Sequence, residues 1–556
     1  MPQRRESSPK SQKSSNFLIQ GSILAVSGIV VRLIGILYRV PLIRIVGDEG
    51  MGYYSNAFSV YQILLLLSSY SMPLAISKMV SVRMAKGEYR NVKNVLHVAL
   101  LYATVVGAVG AVIVWFGADF FATRFFPMPY CVYALRTLAP TIWVMAYLGV
   151  YRGYFQGLGT MVPTAISQIF EQIVNAVVSV VAASILFGIG LKSNLVYEND
   201  QYANAFGAAG GTIGTGAGAL AALFFLLFLF GLYKKTIRRQ LRMDKHSSLE
   251  SYRMITYIMV ATVIPVILST AVYNINGILD SSIFGHCMTF LGQGEQYSTL
   301  IGVYSGKYQL LINVPIAIAS ALSSSLIPAL TRAVAGGDRK EVIERIYMVN
   351  RFAMIVAIPS AVGLAVLAEP IHGLLFAGDD NALSISMTMC GSLTVVLYSL
   401  STVSNAILQG INHMNIPIRN ALVSLVLHLA FLVPMVLVFH MGVYSLVFAN
   451  MLFGLFMCIL NWLVISRYLH CRQEIKKTFV IPTVSALCMG LAAFAVYRGL
   501  SGRLGNTIPT LLAIAVAILV YGILLLRLRG ISQRELASMP GGRKLGKCLR
   551  RLHLLP

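Results

Sequence analysis

Acid is what this sequence has least of: 20 Asp and Glu among 556 residues, against 44 Lys and Arg. Charged residues of both signs make up only 12% of the chain, too few to cover the surface of a soluble protein of this length. Cysteine is sparse and scattered, at positions 131, 287, 390, 458, 471, 488 and 548, with no CxxC pair. Neither a disulfide framework nor a metal site is implied. The nine histidines have no ligand spacing, and no carboxylate or histidine constellation of a membrane glycosyltransferase or acyltransferase is present. An enzyme and a resident cofactor are therefore not expected. Alternation of apolar and polar residues, the mark of a transmembrane barrel, is missing as well.

What remains is long apolar runs. The chain is 57% hydrophobic, with a mean hydropathy of +0.74. Stretches of the ~20 residues needed to cross a bilayer recur between positions 17 and 527. Lipid offers the backbone no hydrogen-bond partner, so such stretches must be helices. The expectation is an all-α polytopic membrane protein with about fourteen spans, the first at 17–46, the second at 51–80, the seventh at 253–283 and the eighth at 297–328. The first apolar run follows a basic tail and has no small-residue cleavage site, so it reads as a retained span.

The net charge of +24 first suggests nucleic acid, but its placement argues against that. Arg44, Arg124, Lys192, Arg498 and Arg503 fall between spans on one side, and Arg32, Arg39, Lys78, Arg136 and Lys307 fall within spans. All the others, Arg152 among them, collect in the tails and the alternate loops. This asymmetry places both termini in the cytoplasm of a cell-membrane protein, with the basic loops facing anionic headgroups.

The chain also repeats. Phe155 to Pro163 resembles Leu408 to Pro417, Met72-Pro73-Leu74-Ala75-Ile76 resembles Val314-Pro315-Ile316-Ala317-Ile318, and basic loops surround Glu88 and Glu341 at matching places. Spans one to six are thereby related to seven to twelve in the same sense, the parallel repeat of alternating-access transporters. The expected parts are a basic tail at 1–16, two six-helix lobes at 17–233 and 253–466, a helix pair at 478–527 and a second basic tail at 528–556.

Arg32 is the residue most in need of explanation, because an arginine at mid-span costs roughly 2.5–3.5 kcal/mol on insertion scales. Gly28, Arg32, Gly35 and Arg39 share a face within about 60°. Glycine admits a bulky group and guanidinium binds phosphate bidentately, so this face suits an anion-accepting cavity. The alternative is a structural bridge to Glu171 or Asp280, the two carboxylates inside spans. Pro41 predicts a bend farther along the same helix. Lys307, among Tyr304, Tyr308 and Gln309, is either a second cavity cation or a snorkelling side chain, and Lys78 and Arg136 read more simply as snorkellers. Asp280, at the end of span seven after Asn274 and Asn276, offers oxygens to a cation or closes the helix at the interface. Glu171 belongs to a polar network with Gln168, Gln172 and Asn175, or to a proton relay.

Arg32-Leu33-Ile34-Gly35 with Arg39, Gly50 to Phe58, Arg152 to Pro163 with Glu171, Gly306-Lys307-Tyr308-Gln309 and Leu408-Gln409-Gly410 together resemble the multidrug/oligosaccharidyl-lipid/polysaccharide exporter superfamily. The resemblance covers nearly the whole chain and is nearest to the branch of stage V sporulation protein B and the MurJ-type lipid II flippases. It implies a two-lobed bundle that flips an undecaprenyl-diphosphate-linked cell-wall precursor, with Arg32, Arg39, Lys307 and, more loosely, Lys78 on the diphosphate. Alternatives it leaves are another lipid-linked polysaccharide, a spore-cortex precursor, or drug antiport. Tyr38 stands where many relatives carry arginine, and Arg39 follows it. Asp280 resembles an aspartate linked to sodium in some relatives, but the Asn412 to Asn415 region lacks the acidic partner, which leaves Na+ or H+ coupling open. Implied partners are the lipid-linked glycan, membrane lipids and cell-wall synthesis proteins.

Overall fold

A computed structural model of the chain describes residues 9–530, apart from 67, 68, 70, 71, 245–247, 378, 379, 412 and 414. The basic tails lie largely outside these residues, as do two positions of the Asn412 to Asn415 region. The described residues form helices and no strand. In chain order they are α1 (Pro9–Leu65), α2 (Met72–Lys86), α3 (Tyr89–Phe120), α4 (Cys131–Gly157), α5 (Val162–Tyr197) and α6 (Gln201–Met243). Then come α7 (Tyr252–Phe290), α8 (Tyr297–Gly302), α9 (Gln309–Ala335), α10 (Arg339–Val366), α11 (Ala368–Leu375) and α12 (Ala382–Gly391). The last are α13 (Leu393–Gly410), α14 (Asn415–Leu437), α15 (Tyr444–Leu469), α16 (Ile481–Leu504) and α17 (Thr507–Arg527). Among the described residues, ten helices are long and apolar enough to cross a membrane. The protein is an all-α, multi-pass membrane protein.

Each predicted span overlies helix, but the helices overrun the apolar stretches. α3 begins at Tyr89 and α6 runs to Met243, so much of the sequence read as basic loop is helix end. The reason is that hydropathy marks where lipid stops, whereas a helix stops only where its hydrogen bonds do. Pro41 lies within α1, yet the residue with non-helical dihedrals is Gly47 (φ 67°, ψ 177°), so the expected bend falls six residues later. Only glycine adopts that backbone without strain. Span seven does not close at Asp280 either, because α7 continues ten residues further to Phe290.

The chain divides into two compact units, one ending at Gly302 and the other beginning at Val303. In the first unit α1 packs against α4, α5, α6 and α8, and α7 packs against α2 and α3. α5 and α6 approach to backbone contact: a Cβ at Gly214 would collide with the backbone nitrogen and hydroxyl of Ser179. Small residues at such a seam let dispersion and hydrogen bonds hold helices that lipid does not drive together. In the second unit α10 packs on α9, α13 and α16, and α16 pairs with α17.

Candidate functional site

In the first unit, the face predicted on α1 is only partly lined by neighbours. Around Gly28 there is open space for a side chain, and Arg32 is exposed. Gly35 faces α5, with Gln172 Nε2 3.3 Å from where a Cβ would stand. Ser27, buried on the same helix, donates to Gln168 Oε1 at 3.4 Å. Arg39 lies against aromatics, its guanidinium carbon 5.9 Å from the centre of the Tyr54 ring. The Tyr38 and Tyr54 hydroxyls beside it are 3.2 Å apart. No carboxylate among the described residues pairs with Arg39.

Glu171 goes elsewhere. Arg152 Nη2 donates to its Oε2 at 2.6 Å, and Arg152 Nε donates to Ser167 Oγ at 3.0 Å. This corrects the placement of Arg152, which the sequence puts in a basic loop. It is buried, because α4 extends past the predicted span to Gly157 and the turn to α5 folds Glu171 back alongside it. The same holds for Arg83 and Arg351, which are buried and paired with Glu250 and Glu474. Arg136 forms an exposed ion pair with Asp119 at 2.8 Å, and Lys78 is exposed on α2.

Asp280 is 2% exposed in the body of α7, one turn beyond Asn276, which is also buried and whose Oδ1 accepts no hydrogen bond from the described residues. Among the described residues no three His, Cys, Asp or Glu side chains are grouped to hold a metal ion. Sequence reasoning missed Glu49, whose carboxylate accepts from Tyr53 at 2.6 Å and Asn204 at 2.8 Å at the turn after Gly47. The acidic pair Asp48-Glu49 directly after Gly47 was the available signal.

In the second unit Lys307 is completely buried, with Nζ 5.7 Å from the centre of the Phe376 ring. It stands in a π-helical turn, Val303–Tyr308, between α8 and α9. Such turns widen the helix by one residue and occur often at functional positions. The neighbouring Tyr308 hydroxyl donates to the Gly391 carbonyl at 3.2 Å and lies 3.1 Å from Thr394 Oγ1. Burial removes Lys307 from the snorkelling alternative.

Chemically, the first unit offers an exposed guanidinium at Arg32 and an aromatic-held one at Arg39, and the second a buried ammonium. These are groups suited to a phosphate. Stage V sporulation protein B of Bacillus subtilis (strain 168) is 25% identical over 525 residues, covering 94% of this chain and 98% of that protein. The lipid II flippase MurJ of the same organism is 24% identical over 527 residues, covering 91% and 94%. A solved lipid II flippase MurJ in an inward closed conformation shares the fold with a TM-score of 0.60 at 14% identity, over 90% of this chain and 97% of that one. An inward-facing multidrug resistance MATE family transporter of the MOP superfamily gives 0.62 at 15% identity, over 79% and 95%. The model of the family described as polysaccharide biosynthesis protein matches residues 18–334, more than half of the chain, and the protein belongs to that family.

Proposed function

We propose that this protein carries a polyprenyl-diphosphate-linked cell-wall precursor, with lipid II as the first candidate, across the cytoplasmic membrane by alternating access. The observation that carries the reading is Arg39, held on α1 by tyrosines rather than by a carboxylate. Glu171, the nearby acid that could have neutralised the α1 arginines, is committed to Arg152. A half-buried guanidinium held against tyrosines and without a carboxylate partner among the described residues can take up a diphosphate, which it would bind through two parallel charge-assisted hydrogen bonds. Arg32 and Arg39 are proposed to hold the diphosphate within the first unit, while the polyprenyl tail stays in lipid, and Lys307 is proposed as a substrate-binding cation of the second unit. Lys78, exposed on α2, is assigned at most a peripheral part. The similarity to the lipid II flippase over nearly the whole chain supports the same substrate class.

The reading calls for no cofactor and no bond-making step. Asp280 is the carboxylate proposed for sodium or proton coupling, and Glu171 is proposed as a structural partner. Both termini are proposed to be cytoplasmic, on the charge asymmetry of the loops. The test is rescue of cells depleted of their own lipid II flippase, read by growth and by lipid II accessibility at the outer face. Arg32→Ala and Lys307→Met are expected to insert normally and fail to rescue. Full rescue by either would remove that residue from the substrate route. Similarity to stage V sporulation protein B favours a spore-cortex precursor as a second substrate, tested by rescue of spore cortex in cells lacking that protein.

A further inference from the structure

Away from the α1 arginines, the first unit has a cavity of about 710 Å³ lined by Arg90, Lys93, Asn94, Leu241, Arg242 and Leu249. It brings together the first two turns of α3, the last turn of α6 and the segment leading to α7. Three of its six lining side chains are cations and none is an acid. Among the described residues, none of the three cations forms an ion pair. All three are exposed.

The acids nearby are engaged in holding the walls. Asp244 Oδ2 accepts the Arg90 backbone N–H at 2.8 Å, at the start of α3. The Asn91 side chain donates to the Ser248 carbonyl at 3.0 Å and accepts the Glu250 backbone N–H at 3.0 Å. Glu250 in turn pairs with buried Arg83. Three hydrogen bonds therefore fasten the segment after α6 onto the start of α3, and the Glu250–Arg83 pair ties it to α2; their effect is to keep three like charges together on one rim. Unpaired like charges repel, so an arrangement that fixes them without a counter-ion is poised for an anion. Leu241 and Leu249 add apolar surface beside the charge, as the glycerol and upper acyl region of a lipid would require. The charge asymmetry assigns this rim to the cytoplasmic side, where anionic headgroups are concentrated.

We propose that the cavity between the start of α3 and the end of α6 binds the phosphate headgroup of an inner-leaflet lipid through Arg90, Lys93 and Arg242. Two sources share that chemistry, a bulk phospholipid such as phosphatidylglycerol and the polyprenyl diphosphate of a precursor. The site is separate from the α1 arginines and does not depend on the transport reading. Retention of dioctanoyl phosphatidylglycerol by the full-length protein in detergent, counted by native mass spectrometry, tests it. Dioctanoyl phosphatidylcholine serves as the neutral control and undecaprenyl diphosphate as the second source.

The variant R90Q/K93Q/R242Q is expected to weaken retention of the anionic lipid by roughly fivefold per charge, on the order of a hundredfold in all. The variant K234Q/K235Q/R239Q, which removes the same charge from α6 outside the cavity, is expected to lose far less. A loss confined to phosphatidylglycerol identifies the bulk lipid, and one confined to undecaprenyl diphosphate identifies the precursor. Either supports the site. Equal loss in both variants would reduce the effect to diffuse surface charge and overturn it, as would no loss in the first variant.

Discussion

Arg152 and Arg39 stand on adjacent helices of the first unit and are treated in opposite ways. Arg152 on α4 has a carboxylate at 2.6 Å and a serine hydroxyl at 3.0 Å. Arg39 on α1 has the face of Tyr54 at 5.9 Å. The first arrangement satisfies a buried charge, so that charge is spent on holding α4 to α5. The second sets the guanidinium against tyrosines with no carboxylate partner among the described residues, which is the ground for its proposed role in binding substrate. The comparison teaches that a mid-span arginine is informative only once the nearest acid has been assigned.

The sharpest break of the contrast is in transport. Arg39→Ala should abolish rescue of flippase-depleted cells while shifting thermal unfolding in detergent only slightly, since a cation–π contact contributes about 0.5–2 kcal/mol. Rescue at the level of the unaltered protein would end its assignment to the substrate. Arg152→Ala should do the reverse in kind. It strands Glu171 in a largely buried position, at a cost of about 3–5 kcal/mol, and unfolding should begin well below that of the unaltered protein. If Arg152→Ala and Arg39→Ala melt alike, the division between structural and functional charge fails. A smaller effect is expected when both partners go. Arg152→Met with Glu171→Leu should recover most of the lost stability, because replacing a whole buried pair with apolar side chains is often neutral or better. Retained transport in that double variant would exclude a proton relay through Glu171.

The architecture was legible because lipid leaves apolar runs one solution, and the break between spans one and two fell where Gly47 permits it. The helical spacing of Gly28, Arg32, Gly35 and Arg39 could be read from the sequence, but not their different surroundings: Gly35 against Gln172 of α5 and Arg39 against Tyr54. The Arg152–Glu171 pair was not, although both residues were in view. The arginine itself lowers local hydropathy, so the apparent span stopped one residue short of it. A hairpin argument was available: Arg152 lies shortly before the Gly157–Pro163 turn and Glu171 shortly after it, where antiparallel helices bring such residues level. The π-turn at Lys307 depends on a shift in backbone hydrogen bonding that no residue type announces. Asp280 was misplaced because polar Asn274 and Asn276 end the apolar run, whereas the helix they sit in continues to Phe290.

The least disruptive change separates the two ways in which Tyr54 can serve Arg39. Tyr54→Phe keeps the ring under the guanidinium and removes the hydroxyl that meets Tyr38 at 3.2 Å. Losing one buried hydrogen bond costs about 0.5–1.5 kcal/mol, so a modest drop in unfolding temperature is expected with transport preserved. If the ring is the partner that a diphosphate displaces, the phenylalanine protein should also bind substrate at least as well as the unaltered one, since the competing hydroxyls are fewer. Transport lost to the same extent as in Arg39→Ala would mean that the hydroxyl, not the ring, positions the guanidinium. The contrast with Arg152 would then narrow to two arginines held by hydrogen bonds, one to a carboxylate and one to a phenol.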